Sequence, residues 1–223
     1  MTNWTQPIDM YCERMNAGFW AEPINASTNA AFFIAALLIW RLQSKPSNLF
    51  AVLIALIGLG SFAFHTWANR LTAVMDVAAI GFYLIAFAYC IPRQWNRHCW
   101  IISSASTLFL VACIALTSLI VSNMKAGFPW LPSGLYLGAW LALTAYAGIT
   151  QKENPNAARW LWIAVVIFPS SLLFRQLDNV WCDATGGTHW LWHILNAVVL
   201  LACTRGLCHN ALVQKDPKTI ETI

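Results

Sequence analysis

The chain has 223 residues, of which 59% are hydrophobic and 10% are charged, and its mean hydropathy is +0.58. A water-soluble domain carries roughly 25% charged residues, so this composition excludes that class and indicates a membrane protein. The formal net charge is only +4; because the cations are unevenly distributed among the loops, it gives no reason to predict a nucleic-acid partner.

Seven apolar segments follow one another along the chain, each close to the roughly 17–25 residues that a membrane-spanning helix needs. They cover residues 26–42, 49–67, 71–91, 100–121, 131–149, 159–174 and 188–207. The stretches between them contain Pro, Gly, Asn or charged residues, which end helices. The sequence therefore predicts an all-α membrane protein, with a seven-transmembrane helix bundle over 26–210, an acidic segment over 1–25 before it and a tail over 211–223 after it.

The Lys and Arg residues are distributed unequally between the two sides of this bundle. Nine fall on the side of the C-terminus, namely Arg41, Lys45, Arg93, Arg97, Lys152, Arg159, Arg205, Lys215 and Lys218, and four on the other, namely Arg14, Arg70, Lys125 and Arg175. By the positive-inside rule, the C-terminus is predicted to be cytoplasmic and the N-terminus outside. The first 25 residues lack the basic start and apolar core of a cleavable signal peptide, so we expect the first span itself to direct insertion.

Five polar residues lie in the outer half of this predicted bundle. Ser61 and His65 end the second span, Asp76 begins the third, and His189 and His193 begin the seventh. Each pair four residues apart shares one helical face. Taken alone, a His at a span end is more often an interfacial hydrogen-bonding residue, and Ser61 a helix-packing residue. Their shared location favours one common site.

Three imidazoles, one carboxylate and one hydroxyl form a set suited to catalytic zinc with an open fourth position. His65, His189 and His193 are the predicted zinc ligands. Zinc would lower the pKa of a bound water towards roughly 7, and Asp76 could accept its proton and pass it to a leaving group. Ser61 could orient the water or hydrogen-bond the developing oxyanion. The sequence thus predicts a membrane-embedded zinc hydrolase.

Four sequence blocks carry a resemblance to a known family. They are IDMYCERMNAGFWAEPINASTN, GSFAFH with an Asp eleven residues after its His, LDNVWCD and THWLWH. Together they resemble the signature blocks of the alkaline ceramidases, in their bacterial branch. The Ser, Asp and three-His arrangement is more remotely similar to that of the progestin and adipoQ receptors.

This resemblance implies zinc-dependent hydrolysis of the amide bond of ceramide, giving a sphingoid base and a free fatty acid. His65, His189 and His193 match the family's zinc ligands, and Asp76 and Ser61 its catalytic Asp and Ser. The implied partner is a membrane lipid, with no obligate protein partner. The implied location is a bacterial inner membrane with the active site near the periplasmic face. The alternatives are a lipid-sensing receptor-like protein with a mainly structural zinc and a hydrolase of another N-acyl lipid.

The resemblance also implies a calcium site in the acidic segment before the first span. Its oxygen ligands would come from Asp9, Glu13, Asn16, Glu22 and the backbone carbonyl of Tyr11. On the residues alone, the acids could equally cap the first helix or pair with Arg14.

The cysteines are also distributed unequally between the two sides of the predicted bundle. Cys12 and Cys182 both lie in predicted outer loops, where an oxidising compartment allows them to pair, so we predict a disulfide between them. The five others are predicted to be free thiols. Arg175 and Asp178, before the last span, are interpreted as a structural salt bridge rather than as contacts to a lipid head group.

Overall fold

The computed structural model describes residues 3–95, 99–124 and 131–215, which are mainly helical and form no strand beyond an isolated bridge between Pro7 and Asn69. The α-helices are α1 (Pro23–Thr28), α2 (Ala30–Trp40), α3 (Lys45–Trp67), α4 (Arg70–Cys90), α5 (Trp100–Met124), α6 (Gly134–Glu153), α7 (Pro155–Leu177), α8 (Cys182–Thr185) and α9 (His189–Lys215), with a 3-10 helix, Ile91–Trp95, after α4. Because α9 continues to Lys215, it enters the predicted tail. Residues 216–223 of that tail, and the cations Arg97, Lys125 and Lys218, lie outside the described residues.

Six stretches are long and apolar enough to cross a membrane, which confirms the prediction of an all-α membrane protein. They are Pro23–Trp40, Pro46–Trp67, Arg70–Trp95, Trp100–Met124, Pro155–Leu177 and His189–His209. The predicted run 131–149 falls largely in α6, a helix of 20 residues that is not among the six. Its Gly, Tyr, Trp and Thr residues make it less apolar than the others. A seventh span and the orientation of the termini therefore stay predictions.

The first span is interrupted where the sequence predicted one continuous helix. Asn29 separates α1 from α2, and its side-chain amide donates to the backbone carbonyl oxygens of Asn25 and Ala26. A short polar side chain that bonds the backbone in this way competes with regular helical hydrogen bonds. The helix also begins earlier than predicted, at Pro23, whose fixed φ suits the first turn.

The long helices pack in a closed ring. Each of α2 to α6 contacts the next helix along the chain, and α9 closes the ring by contacting both α7 and α2. α9 also reaches α3 and α4, and short α1 packs against α3 and α9. The first residues of α9 thus meet the last residues of α3 at one end of the bundle.

The α3–α4 hairpin is tight at this same end. Ala68 adopts a left-handed conformation (φ 39°), and the side chain of Asn69 caps α4 by accepting from the backbone N–H of Thr72. A Cβ at Gly60 would lie 3.0 Å from the backbone oxygen of Met75 and 3.3 Å from the Cα of Asp76. Because Gly60 has no side chain, α4 can approach α3 closely beside Ser61.

Candidate metal centre

Three buried histidines converge at the end of the bundle where α3, α4 and α9 meet. One ring nitrogen from each of His65, His189 and His193 lies within 4.8 Å of the others. The ring centroids are 4.7–5.0 Å apart. Among the residues that the structure describes, this is the one group of three His, Cys, Asp or Glu side chains with such spacing. The structure thus places the three predicted zinc ligands together.

His65 is oriented by a carboxylate from the segment before α1. Its Nδ1 hydrogen-bonds Oε2 of Glu22, whose Oε1 accepts from Nε of Arg14, and Arg14 also donates to the backbone carbonyl of His65. Burial raises the pKa of Glu22, but the hydrogen bonds from His65 and Arg14 outweigh burial and hold that pKa below its usual value. An ionised Glu22 accepts the Nδ1 proton. The buried Nε2 of His65, which has no hydrogen-bond partner, then presents its lone pair to the other histidines.

His193 is oriented by a hydroxyl from α1. The hydroxyl of Thr28 donates to the backbone carbonyl of Ile24, so its oxygen is left to accept from Nδ1 of His193 at 2.9 Å. That hydrogen bond leaves Nε2 of His193 as the nitrogen with the free lone pair. Nε2 lies 3.4 Å from Oγ of Ser61, one turn before His65 on α3.

The ring of His189 is held differently from those of His65 and His193. Its buried Nδ1 has no hydrogen-bond partner, and the ring of Tyr11 stacks on it with centroids 3.7 Å apart and planes 23° from parallel. Tyr11 is itself buried, and this burial raises the pKa of its hydroxyl, so the phenol stays neutral.

Asp76 lies beside the histidines on α4, across the close contact at Gly60. Its half-buried carboxylate interacts with the Ser61 hydroxyl and lies near His65 and Arg175. The structure therefore brings both predicted catalytic side chains, Ser61 and Asp76, to the three histidines.

The start of α9 is tied to the N-terminal segment by Asp178 and a disulfide. Oδ1 of Asp178 accepts from the backbone N–H groups of Thr188 and His189, at 2.7 and 2.8 Å, and Oδ2 accepts from that of Cys12 at 2.8 Å. Cys12 and Cys182 form a disulfide with Cα atoms 5.5 Å apart, and the other five cysteines are free. A Cβ at Gly187 would lie 2.9 Å from Oδ1 of Asp178, so this junction requires a glycine there.

The interpretation of Arg175 and Asp178 as a salt bridge is wrong. Asp178 accepts only backbone N–H groups, because it closes the N-terminus of α9. The guanidinium of Arg175 donates to the Tyr11 hydroxyl at 3.3 Å and lies over the rings of Tyr136 and Trp192, at 5.0 and 5.8 Å.

The residues of the predicted calcium site are spread along the N-terminal segment. Glu13 accepts from the backbone N–H groups of Ile24 and Asn25, and thus caps α1. The side-chain oxygen of Asn16 accepts from the backbone N–H of Gly18.

Asp9 and Tyr11, two other residues of the predicted calcium site, differ in their exposure to solvent. Asp9 is exposed and lines an outer cleft together with Arg14 and Asn16. The backbone carbonyl of Tyr11 accepts from the N–H of Arg14. Both alternatives to calcium, capping by Glu13 and pairing of Glu22 with Arg14, are present in the structure; calcium binding stays a prediction.

A narrow cavity lies deeper in the bundle, next to the histidines. It is lined mostly by apolar and aromatic side chains. Trp192 and Asn196 line it near His193, and Cys203 lines it further along α9. From residue 192 to 203 a helix rises roughly 16 Å, about half of a bilayer's hydrocarbon core. The cavity thus extends from the site towards the middle of the bundle.

The donor set fits a zinc ion. Nε2 of His65 and Nδ1 of His189 are buried without partners, which is costly for polar atoms unless a ligand satisfies them. Three neutral imidazoles with a neighbouring carboxylate and hydroxyl are a donor set of catalytic zinc sites. Fold and site together define a helical membrane protein with a buried three-histidine site able to hold a metal.

Comparison with known families gives a more specific assignment. Residues 8–220 match the family model described as Ceramidase, and the chain therefore belongs to the ceramidase family. Neither a curated protein nor a solved structure matches it significantly. The match confirms the resemblance drawn from the sequence blocks and supports a hydrolase acting on the amide of ceramide, a membrane lipid. The bacterial branch and the receptor similarity stay predictions.

Proposed function

We propose that this ceramidase is a zinc-dependent amide hydrolase that works at the three-histidine site. The observation that carries the proposal is the convergence of His65, His189 and His193, with two buried ring nitrogens left without partners. These three side chains would hold the ion. When bound, zinc supplies a Lewis acid that lowers the pKa of a coordinated water and polarises an amide carbonyl.

Asp76 is the proposed proton carrier. Its carboxylate lies beside Ser61 and near His65 and Arg175. In hydrolysis, a water oxygen bonds to the amide carbon, the C–N bond breaks and a proton passes to the departing nitrogen. Asp76 can take the proton from the water and deliver it to that nitrogen, which becomes the amine of the sphingoid base.

Ser61 is the proposed stabiliser of the developing negative charge. Its hydroxyl lies between Asp76 and Nε2 of His193, so it can donate to an oxygen placed among the histidines. The hydroxyl hydrogen of Ser61 is directed at the Asp76 carboxylate, and it becomes available to the carbonyl oxygen once Asp76 has accepted the proton of the water.

The cavity fits the acyl chain of such a substrate. Its apolar and aromatic lining includes Ile57, Phe87 and Leu200, and it begins beside His193. A fatty-acyl chain occupying it would bring its amide to the histidines, with the polar part of the lipid at the end of the bundle. The charge bias of the loops supports an orientation with this end outside, in agreement with a periplasmic active site.

Calcium is proposed as a second ion of the N-terminal segment. Asp9 and Asn16 line the same outer cleft, but Glu13 and Glu22 already accept hydrogen bonds from the protein. Calcium would have to compete with these contacts. It would act on the zinc site indirectly, since Glu22 also orients His65.

The proposal is tested by measuring zinc content and fatty-acid release together. Purified protein is expected to contain one zinc and to hydrolyse ceramides of defined acyl length. His65→Ala should lose the metal, and Asp76→Asn should keep it while activity falls roughly 100- to 10,000-fold. Ser61→Ala should lower kcat more than it raises KM.

His209→Ala is the matched control, because His209 lies on the same helix as His193 but away from the site. Wild-type rates in His65→Ala or Asp76→Asn would refute the assignment. Release from an N-acyl amino lipid but not from ceramide would retain the chemistry and change the substrate.

A further inference from the structure

The three imidazoles are not held in the same way. His65 is oriented by the carboxylate of Glu22 and His193 by the hydroxyl of Thr28. Metal-ligating histidines almost always have such a partner, because it fixes the orientation of the ring. His189 lacks such a partner, because neither of its ring nitrogens hydrogen-bonds another of the residues that the structure describes. Something else must restrict rotation of its side chain.

The ring of Tyr11 covers one face of His189. Its centroid lies 3.7 Å from that of His189 in a near-parallel stack, whereas it lies 5.3 Å from that of His65 and 6.2 Å from that of Phe64. The stack is therefore specific to His189. Aromatic faces at this distance make extensive van der Waals contact, and rotation of either ring would break it.

Tyr11 is fixed from both ends. Its hydroxyl accepts from Nη2 of Arg175, a residue of α7. Its backbone is anchored through the next residue, since Cys12 forms the disulfide with Cys182 and donates its N–H to Asp178. Asp178 also accepts the backbone N–H of His189. The same carboxylate therefore sets the relative positions of the two stacked residues.

We propose that Tyr11 is a positioning residue whose ring holds the imidazole of His189 in its ligating orientation. This role belongs to the side chain and is separate from the backbone carbonyl that the calcium prediction uses. It rests on the proposed zinc site, to which it adds a third positioning contact besides those of Glu22 and Thr28. An aromatic ring that only filled space would be replaceable by an aliphatic side chain without effect on the metal.

The test compares Tyr11→Phe, Tyr11→Leu and Tyr11→Met in the full-length, zinc-loaded protein. Zinc release to a chromophoric chelator is measured, as is the visible absorption of the cobalt-substituted protein, which reports ligand geometry. Tyr11→Phe keeps the stack and should behave like the wild type. Tyr11→Leu and Tyr11→Met lose it and should release zinc about tenfold faster, with an altered cobalt spectrum.

Phe19→Leu is the matched control, because Phe19 is an aromatic residue of the same segment that contacts Trp20 and Trp67 rather than a histidine. Wild-type zinc release and cobalt spectrum in Tyr11→Leu or Tyr11→Met would overturn the proposal. Fast release from Tyr11→Phe would also overturn it, so the proposal stays falsifiable even if the aliphatic variants do not fold. By contrast, wild-type protein that binds neither zinc nor cobalt would refute the zinc site itself.

Discussion

The side chain of Asp178 holds the backbone of His189, because Oδ1 of Asp178 accepts the N–H of His189 at 2.8 Å. This contact fixes the first turn of α9, on which two of the three histidines lie. A carboxylate at a helix N-terminus satisfies N–H groups that the helix leaves without partners and interacts favourably with its dipole. The position of His189 thus depends on a residue that touches neither metal nor substrate.

Replacing Asp178 should destabilise the protein. Asp178→Ala leaves the N–H groups of Cys12, Thr188 and His189 without acceptors, and each buried unsatisfied group costs roughly 1–3 kcal/mol. We expect a lower thermal unfolding temperature in detergent at fixed zinc concentration. Asp183→Ala, at an exposed position of α8, should unfold like the wild type. Equal unfolding temperatures for the two variants would show that Asp178 does not stabilise this junction.

Glu22 should control zinc affinity through His65. Glu22→Gln removes the charge that accepts from Nδ1 of His65, and such changes typically reduce metal affinity about 10- to 100-fold. Chelator competition measures the loss, with Glu153→Gln at an exposed position as control. The comparison is made without calcium and with saturating calcium. A loss seen only with calcium would assign Glu22 to the calcium site instead.

Filling the cavity should change acyl-chain selectivity. Ala139 of α6 lines the cavity and is buried, so Ala139→Phe places a ring where the chain is proposed to lie. The ratio of kcat/KM for long-chain to short-chain ceramides should fall by about tenfold or more. Leu141→Phe, on the exposed side of the same helix, should leave the ratio unchanged. An unchanged ratio in Ala139→Phe would place the acyl chain elsewhere.

The calcium prediction is testable by unfolding and by direct titration. Calcium should raise the unfolding temperature of the wild type, while magnesium, which prefers fewer and more rigidly placed ligands, should raise it less. Asp9→Asn and Glu13→Gln should reduce the calcium effect. Thr5→Ala, in the same segment, provides the control. No calcium-dependent shift and no binding isotherm in wild-type protein would leave Glu13 as a helix cap only.

The sequence predicted the core of the site because its residues follow helical spacing. His189 with His193, and Ser61 with His65, are one turn apart, and the short α3–α4 link places Asp76 beside Ser61. The apolar runs predicted the membrane class because their lengths match those of membrane-spanning helices. The low hydropathy of α6 and the break at Asn29 are local departures that a count of apolar residues does not resolve.

The residues that orient the histidines could not be predicted as such. The resemblance places Glu22 in the calcium site and the sequence indicates no role for Thr28, and neither residue lies on a helix with His65 or His193. The contact between Thr28 and His193 joins residues 165 positions apart. The stack of Tyr11 on His189 likewise depends on how an irregular segment folds back over the bundle. Such contacts have no periodicity from which they could be inferred.

The division of the site between distant parts of the chain also determines when it can form during synthesis. Ser61 and His193 are 132 residues apart, and two of the three imidazoles belong to α9. A nascent chain that has not yet delivered α9 to the bilayer carries a single histidine of the three and cannot capture the ion tightly. If zinc binds at the proposed site, we therefore expect metal acquisition to be a late event of biogenesis and incompletely translated molecules to be inert towards the lipids around them.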